Sequence, residues 1–427
     1  MGLLERAGGQ RAVLAILVSA LGYFVDIYDL VLFSIVRVPS LKGLGYESDY
    51  DLKYYGELLL NFQMAGMLLG GILWGVLGDR KGRLSVLFGS IFMYSLANFL
   101  NGLIPNTAEK SFWDEITFYA ILRFVAGIGL SGELGAGITL VSELMPKETR
   151  GYGTMIVAGT GILGAILAAL VGDLLNWRWA YIIGGLMGFA LLVLRIGVYE
   201  SGLFDQLRAK KDIKRGAFFK IFSNRSRLRR FFASVMIGVP LWFVVGNLIT
   251  FSREYGKNLS AKGEIDPGYA ILFTYLGLAL GDFASGSLSQ LLKTRKKTVL
   301  LFLVLNLLTV LLYLNSRAQS LAYYYSLFTV LGFFNGYWAV FVTIAAEQFG
   351  TNLRATVATS VPNFVRGAVV PVNTTFTYIS VQLTGDPLKG MIPAAYIMTF
   401  FLFLLAFVGL ALLEETHGKD LDFLEQI

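Results

Sequence analysis

The 427-residue chain is 55% apolar and only 15% charged, contains no cysteine and carries a formal net charge of +7. That composition is far from a soluble globular average and points to an integral membrane protein. It also excludes a disulfide framework, a thiolate metal site and a cysteine nucleophile.

About twenty apolar residues cross the roughly 30 Å hydrocarbon core as a helix. Runs of this kind centre near residues 24, 68, 94, 130, 163, 189, 241, 280, 307, 334, 371 and 402, which predicts twelve spans. The first run, behind Arg6 and Arg11, holds two acids and has no small-residue cleavage site, so it reads as a retained helix and not as a secretory signal. Lys and Arg gather on alternate connections: Arg80, Lys81 and Arg83; Lys147 and Arg150; the run 208–230; Lys293, Arg295, Lys296 and Lys297; and Arg354. Because cytoplasmic loops collect basic residues, both termini are expected in the cytoplasm, and the positive charge needs no nucleic-acid partner. The basic stretch RAKKDIKRGAFFKIFSNRSRLRR (208–230) divides the spans six and six. The expected organisation is an N-terminal bundle over 1–200, a cytoplasmic linker over 201–230 able to lie on an anionic leaflet, and a C-terminal bundle over 231–427.

The two halves carry related segments, as transporter folds commonly do. SELMPKETRG (142–151) follows the fourth span and AEQFGTNLRA (346–355) the tenth. Glu143 and Arg150 are seven positions apart, as are Glu347 and Arg354, with an offset of 204 between the pairs. GVLGDRKGRLSVL (75–87) has a weaker echo in GSLSQLLKTRKKTVL (286–300), where the acid is lost. On these residues the chain resembles the major facilitator superfamily over essentially its whole length. Gly75, Gly78, Asp79, Arg80, Gly82 and Arg83 match that superfamily's signature between helices two and three. The resemblance implies an all-α integral membrane fold, twelve transmembrane helices in two pseudo-symmetric six-helix bundles, working by alternating access and usually as a monomer. The glycines permit a tight turn. Asp79, Arg80 and Arg83, with Glu143, Arg150, Glu347 and Arg354, are expected to gate the site by bridging helix ends in one access state; otherwise each is a solvated loop charge. RFVAGIGLSGELGAG (123–137) resembles helix four of proton-coupled metabolite symporters, and ESGLF (200–204) resembles a degenerate sugar-porter motif. Helix five (159–172) lacks the Gly-Pro pair of drug antiporters.

A charge at membrane depth costs about 2.5–3.5 kcal/mol on insertion scales, so intramembrane charges are functional candidates unless they pair for structure. They are Asp26 and Asp29 in the first span, Arg123 and Glu133 in the fourth and Arg366 in the eleventh. Asp282 lies nearer the cytoplasmic end of the eighth span and is assigned to the degenerate loop motif, while Glu57 and Asp173 read as interfacial. With the first helix ending near Arg37 and the fourth starting near Glu115, Asp29 and Arg123 both lie roughly 10–12 Å below the same end. Sugar porters pair a helix-one aspartate in a Tyr-Asp context with a helix-four arginine, which Tyr28-Asp29 and Arg123 resemble. Asp26, three residues earlier and on roughly the same face, completes a D-x-x-D resembling that of aromatic-acid symporters. The single histidine, His417, lies in the tail, so carboxylates must carry any coupled proton. Asp29, Arg123, Asp26 and Glu133 form the expected proton-coupling set; the competing reading is a fixed Asp29–Arg123 bridge that only packs helices, and Asp26 alone reads equally as a proton site, a substrate contact or a partner for another helix.

Arg366 falls about 14 Å beyond a helix start near Thr356 or Val357, and a permanently charged, bidentate donor at that depth suits a carboxylate. Its R-G-x-x-x-P context resembles helix eleven of organic-anion carriers; alternatively it neutralises Glu133 or Asp26. Pro362 and Pro371 could break that helix. Trp242, Tyr275, Tyr337 and Trp338, with the neutral Gln63, Asn247 and Asn335, are the remaining expected substrate contacts, the helix-ten cluster beside Asn335 above all; any single aromatic otherwise reads as lipid-facing packing. Small-residue spacings such as Gly66 to Gly70 and Gly71 to Gly75 indicate close helix packing. The expected function is proton-coupled uptake of a small organic anion across an inner membrane, with no cofactor beyond the proton and no metal. The alternatives are a carrier of a cation, zwitterion or metal chelate, including an exporter; a sugar-porter-like symporter; or a non-transporting sensor. No phosphate-cradling loop, zinc-ligand spacing or serine-histidine arrangement supports an enzyme.

Overall fold

Each expected span centre falls in a separate helix of the protein, for which a computed structural model describes residues 10–81, 83–105, 114–132, 150–200, 218–418 and 425. The first six spans are α1 (Gln10–Gly43), α2 (Asp49–Lys81), α3 (Arg83–Asn101), α4 (Glu115–Leu130), α5 (Arg150–Leu174) and α6 (Trp177–Glu200). Span seven is α7 (Arg225–Phe243), a π-helical turn (Val244–Ile249) and α8 (Ser252–Asn258). Spans eight and nine are α9 (Pro267–Leu291) and α10 (Arg295–Asn315). Span ten is α11 (Leu321–Asn335) plus α12 (Trp338–Glu347), span eleven is α13 (Thr351–Gly367) plus α14 (Val369–Thr384), and span twelve is α15 (Met391–Leu412). Among the described residues there is no strand. This is the form a hydrocarbon solvent demands, since a helix satisfies its backbone groups within itself.

Side-chain caps set several boundaries, their oxygens taking up otherwise orphaned first-turn N–H groups. Asp114 accepts from Thr117 N–H at 2.7 Å, Asn224 from Ser226 N–H at 2.8 Å, and Asp266 from Tyr269 N–H at 3.0 Å ahead of Pro267. The Asn224 cap starts α7 inside the basic stretch, at Arg225. Helix one does not end near Arg37 but runs on to Gly43, because Arg37 meets a buried partner instead of water. Helix eleven begins at Thr351, earlier than Thr356.

The helices form two six-helix bundles, each with the same close crossings. In the first half α2 packs on α4, α1 on α5 and α3 on α6; in the second the counterparts are α9 on α11, α7 on α13 and α10 on α15. A Cβ on Gly66 would stand 2.1 Å from the Phe124 carbonyl oxygen and one on Gly127 2.1 Å from that of Gln63. The counterparts are Gly277 against Thr329 O and Gly332 against Thr274 O, both at 1.9 Å. Spans two and four, and their repeats eight and ten, therefore touch backbone to backbone. The halves meet through α2 against α13 and α14, and α9 against α1 and α5.

At the end of the second bundle that carries the C-terminal tail, Glu347 accepts from Arg295 Nη2 at 2.7 Å and from Thr416 Oγ1 at 2.6 Å. Burial pushes the Glu415 carboxyl up, but hydrogen bonds from the Thr294 hydroxyl and the N–H groups of His417, Arg295 and Lys296 outweigh it and hold the group at about 2.

Gly277→Ala is expected to lower the unfolding midpoint, since overpacking a tight crossing costs roughly 1–3 kcal/mol. Gly286→Ala, where a Cβ would meet nothing within 4 Å, is expected to be neutral or slightly stabilising. Thermal unfolding in detergent compares them, and equal midpoints would show the spans eight and ten crossing to be loose.

Candidate functional site

Midway along the helices, between the two halves, the sequence places charge where burial makes it expensive, and the fold gathers much of it around Arg366. This guanidinium is 2% exposed. Its carbon lies 5.6 Å from the Trp242 ring centroid and 5.5 Å from that of Trp338. Nη1 donates to Asn363 Oδ1 at 3.4 Å, Nε has no hydrogen-bond partner, and no ion pair to Arg366 occurs among the described residues. Asp26, Tyr23 and Tyr275 lie within electrostatic reach. Four expected contacts, Arg366, Trp242, Trp338 and Tyr275, are thus brought together from α7, α9, α12 and α13, with Asp26 of α1 facing them.

Asp282 belongs to this neighbourhood and not to a loop motif. It lies half-buried on α9, within reach of Tyr23 of α1, and accepts from Ala339 N–H at 3.0 Å. Sequence reasoning missed it and Tyr23 because the break in span ten, which brings Asp282 into use, has no signal of its own beyond Gly336.

Asp29 and Arg123 form a second centre inside the first half, both 0% exposed. They are within electrostatic reach of each other without an ion pair. Arg123 Nη2 donates instead to Asn98 Oδ1, and its guanidinium carbon lies 4.7 Å over the Tyr181 ring. The Asp29 oxygens have no hydrogen bond of ordinary geometry. Gly184 of α6 makes room for them, since a Cβ there would stand 2.3 Å from Asp29 Oδ1. Tyr181 is bonded to Tyr119 at 2.7 Å, and Tyr28 donates to Ala180 O at 2.8 Å.

The structure brings four expected contacts elsewhere. Asn335 accepts from Asn306 at 2.8 Å and donates to Leu241 O at 3.1 Å, so its amide ties spans nine, ten and seven. Tyr337 is 0% exposed and donates to Ile237 O at 3.0 Å. Asn247 sits in the π-helical turn, donating to Asn373 at 2.9 Å and accepting from Tyr255 at 2.8 Å. Gln63 donates to Leu30 O at 3.3 Å. Asn335, Tyr337 and Asn247 are thus satisfied by neighbouring helices, whereas Gln63 keeps a buried Oε1 without a hydrogen-bond partner.

Of the expected gating residues, Glu347 is held by Arg295 and Thr416 as above, Arg354 lies in the first turn of α13, and Gly75 sits in α2 with space around its Cα. Asp79, Arg80 and Arg83 belong to α2 and α3 and Arg150 starts α5; their side chains, and Gly82, Glu133 and Glu143 entirely, lie outside the described residues.

At the face opposite the termini, a polar latch that sequence reasoning did not find joins the halves. Arg37 of α1 makes a two-pronged ion pair with Glu254 of α8, at 2.9 and 2.8 Å, the side chains 0% and 1% exposed. The same guanidinium donates to Leu52 O at 2.8 Å and Thr250 O at 3.2 Å. Around it Ser34 meets Thr250 at 3.0 Å, and Asp49 accepts from Lys257 at 2.7 Å and from Arg253 at 3.0 Å. Glu57, expected to be interfacial, pairs with Lys53 and accepts from Thr377 of α14 at 2.6 Å. Charge-assisted, bidentate geometry of this kind is strong where water is excluded.

Comparison with known proteins agrees with this architecture. The profile described as Major Facilitator Superfamily matches residues 19–372. The niacin transporter NiaP of Acinetobacter baylyi is 26% identical, the match covering 95% of this chain and 94% of that one. The gentisate transporter of Corynebacterium glutamicum is 25% identical over 64% of this chain and 59% of its own length. Among solved structures, the xylose transporter XylE of E. coli, in a partially occluded inward open conformation, superposes with a TM-score of 0.67 at 15% identity, covering 97% of this chain and 100% of that one.

The latch can be tested cleanly in a chain without cysteine. Removing one partner of a buried pair costs roughly 3–5 kcal/mol, so Glu254→Gln should let the halves part on this face. A cysteine placed at Thr250 is expected to react with a maleimide at least about tenfold faster when Glu254→Gln is added. An unchanged rate would show that the pair does not hold the face shut.

Proposed function

The chain belongs to the major facilitator superfamily of membrane transporters, and from that premise we propose that it takes up a small organic carboxylate together with protons. The observation that carries this reading is Arg366: a buried guanidinium at the junction of the halves, flanked by two indoles and without an ion pair among the described residues. A carboxylate satisfies such a donor bidentately, and Trp242 and Trp338 offer flat apolar surface to whatever carries it. Niacin and gentisate, for which the two relatives are named, are small aromatic acids and fit that combination.

The concentration of Lys and Arg on the connections at the termini's face favours a cytoplasmic position for both termini. The Arg37–Glu254 latch is then an outer gate, and the arrangement described is one closed to the outside. Asp29 is the proposed proton carrier. A carboxylate beside a guanidinium stays ionised and one deprived of it binds a proton, so movement of Arg123 between Asp29 and the Asn98–Tyr181 pair would load and release it. Asp26 faces Arg366 and tunes the charge of the substrate site; Glu133 is proposed to do the same from span four. The expected unit is a monomer in the plasma membrane, with the inward proton gradient driving uptake.

A thermal-stability screen against carboxylates, cations, amino acids and sugars at about pH 5.5 and 7.5 tests the substrate class. A ligand at about 100 times its Kd adds roughly 2.7 kcal/mol, and stabilisation by niacin or gentisate that vanishes in Arg366→Ala is the expected result. Stabilisation by cations or neutral sugars, indifferent to Arg366→Ala, would overturn the carboxylate assignment. For coupling, Asp29→Asn should abolish proton-driven accumulation in proteoliposomes yet keep substrate exchange; a variant that still accumulates substrate would remove Asp29 from that role.

A further inference from the structure

Span ten is interrupted where it passes the Arg366 cluster. Gly336 N–H turns back to Phe333 O at 3.0 Å and Tyr337 N–H to Asn335 O at 2.9 Å; the helical pattern resumes with Phe341 N–H to Tyr337 O at 2.8 Å. The first-turn N–H groups of α12 therefore lack acceptors of their own helix, and Tyr337 supplies no side-chain cap. An acceptor arrives from the neighbouring span, where Asp282 of α9 takes the Ala339 N–H at 3.0 Å. The reach is possible because Gly281 and Gly336 let the two backbones meet. A Cβ on Gly336 would stand 2.5 Å from Asp282 N, and one on Gly281 1.9 Å from Phe333 O. A carboxylate at this end of α12 also opposes the positive pole of the helix.

The helix so capped begins with Trp338, whose ring lies 5.5 Å from the Arg366 guanidinium carbon and 5.2 Å from the Phe341 ring. The other side of the break is fixed separately, by Asn335 to Asn306 and Leu241 and by Tyr337 to Ile237. The Trp338 side depends on α9. We propose that Asp282 is the positioning residue of the central site: by capping α12 across the break, it holds Trp338 against Arg366. It acts on substrate through the indole and not by contact, which explains an acid on α9 at this depth without assigning it a proton or a ligand. The proposal rests on the reading of Arg366 as the substrate's anchor.

The test compares Asp282→Ala, Asp282→Asn and Trp338→Ala in the full-length protein. Hydrogen exchange is read in peptides covering 336–343, and niacin uptake into proteoliposomes supplies KM and kcat. Losing a cap should raise exchange at 338–340 about tenfold in Asp282→Ala. KM for niacin should rise about tenfold with kcat within about twofold, as in Trp338→Ala, and the double variant should be no worse than Trp338→Ala alone. Asp282→Asn keeps an acceptor oxygen and should stay within about twofold of wild type in both readouts. Unchanged exchange in Asp282→Ala, or an asparagine variant as impaired as the alanine one, overturns the proposal. Should Asp282→Ala not fold, Asp282→Glu replaces it: the charge stays, the acceptor is displaced by a methylene, and wild-type exchange and KM would again overturn the proposal. If wild-type protein takes up no niacin, that outcome counts against the carboxylate reading of Arg366, while exchange still decides the cap.

Discussion

A charge withdrawn from water must find another charge or a set of dipoles, and this protein meets that requirement in two different ways. At the face opposite the termini the charges are fully paired: Arg37 and Glu254 satisfy each other with two hydrogen bonds, and the guanidinium's two terminal nitrogens also donate to backbone carbonyls, leaving only Nε without a partner. At the centre it is partial. Arg366 rests among indoles with one long hydrogen bond, and Asp29 lies near Arg123 without pairing to it. Complete pairing across the halves fixes their relation at one face; incomplete pairing in the middle leaves groups able to engage something that comes and goes. The same electrostatic cost thus produces a seal in one place and a site in another.

Backbone satisfaction imposes the second constraint. A span can be interrupted inside a membrane only where protein supplies the missing partners, and the interruptions here occur next to the centre. Span seven passes through a π-helical turn after Pro240, with Thr250 N–H reaching back to Val245 O at 3.2 Å. Span ten breaks at Gly336 and Tyr337 and is carried over by Asp282 and Asn335. Both breaks sit beside aromatic residues that face Arg366. The glycine crossings make this affordable in space: where backbones touch, as at Gly281 and Gly336, a short side chain from one helix can serve the backbone of the next.

The repeat seen in the sequence has a physical counterpart in those crossings. Gly66 and Gly127 join spans two and four as Gly277 and Gly332 join eight and ten, so the halves share the contact and not only the motif. Their contents have diverged. The first half holds the Asp29–Arg123 centre and the second holds Arg366, a division that periodicity alone could not have assigned.

The membrane class, the twelve spans and the intramembrane charges of spans one, four and eleven were legible in the sequence, because each follows from local composition against a hydrocarbon solvent. Arg366, Trp242, Trp338 and Tyr275 could be nominated from depth and residue type for the same reason. Partner choice was decided only by tertiary structure. Arg37 looked like a helix end until α8 brought Glu254 to it; Asp282 looked like a loop charge until α12 broke beside it; and Asn335, Tyr337 and Asn247 looked like cavity groups until neighbouring helices took up their hydrogen bonds. One sequence states what each side chain needs, but which neighbour supplies it depends on how helices far apart in the chain are set against one another.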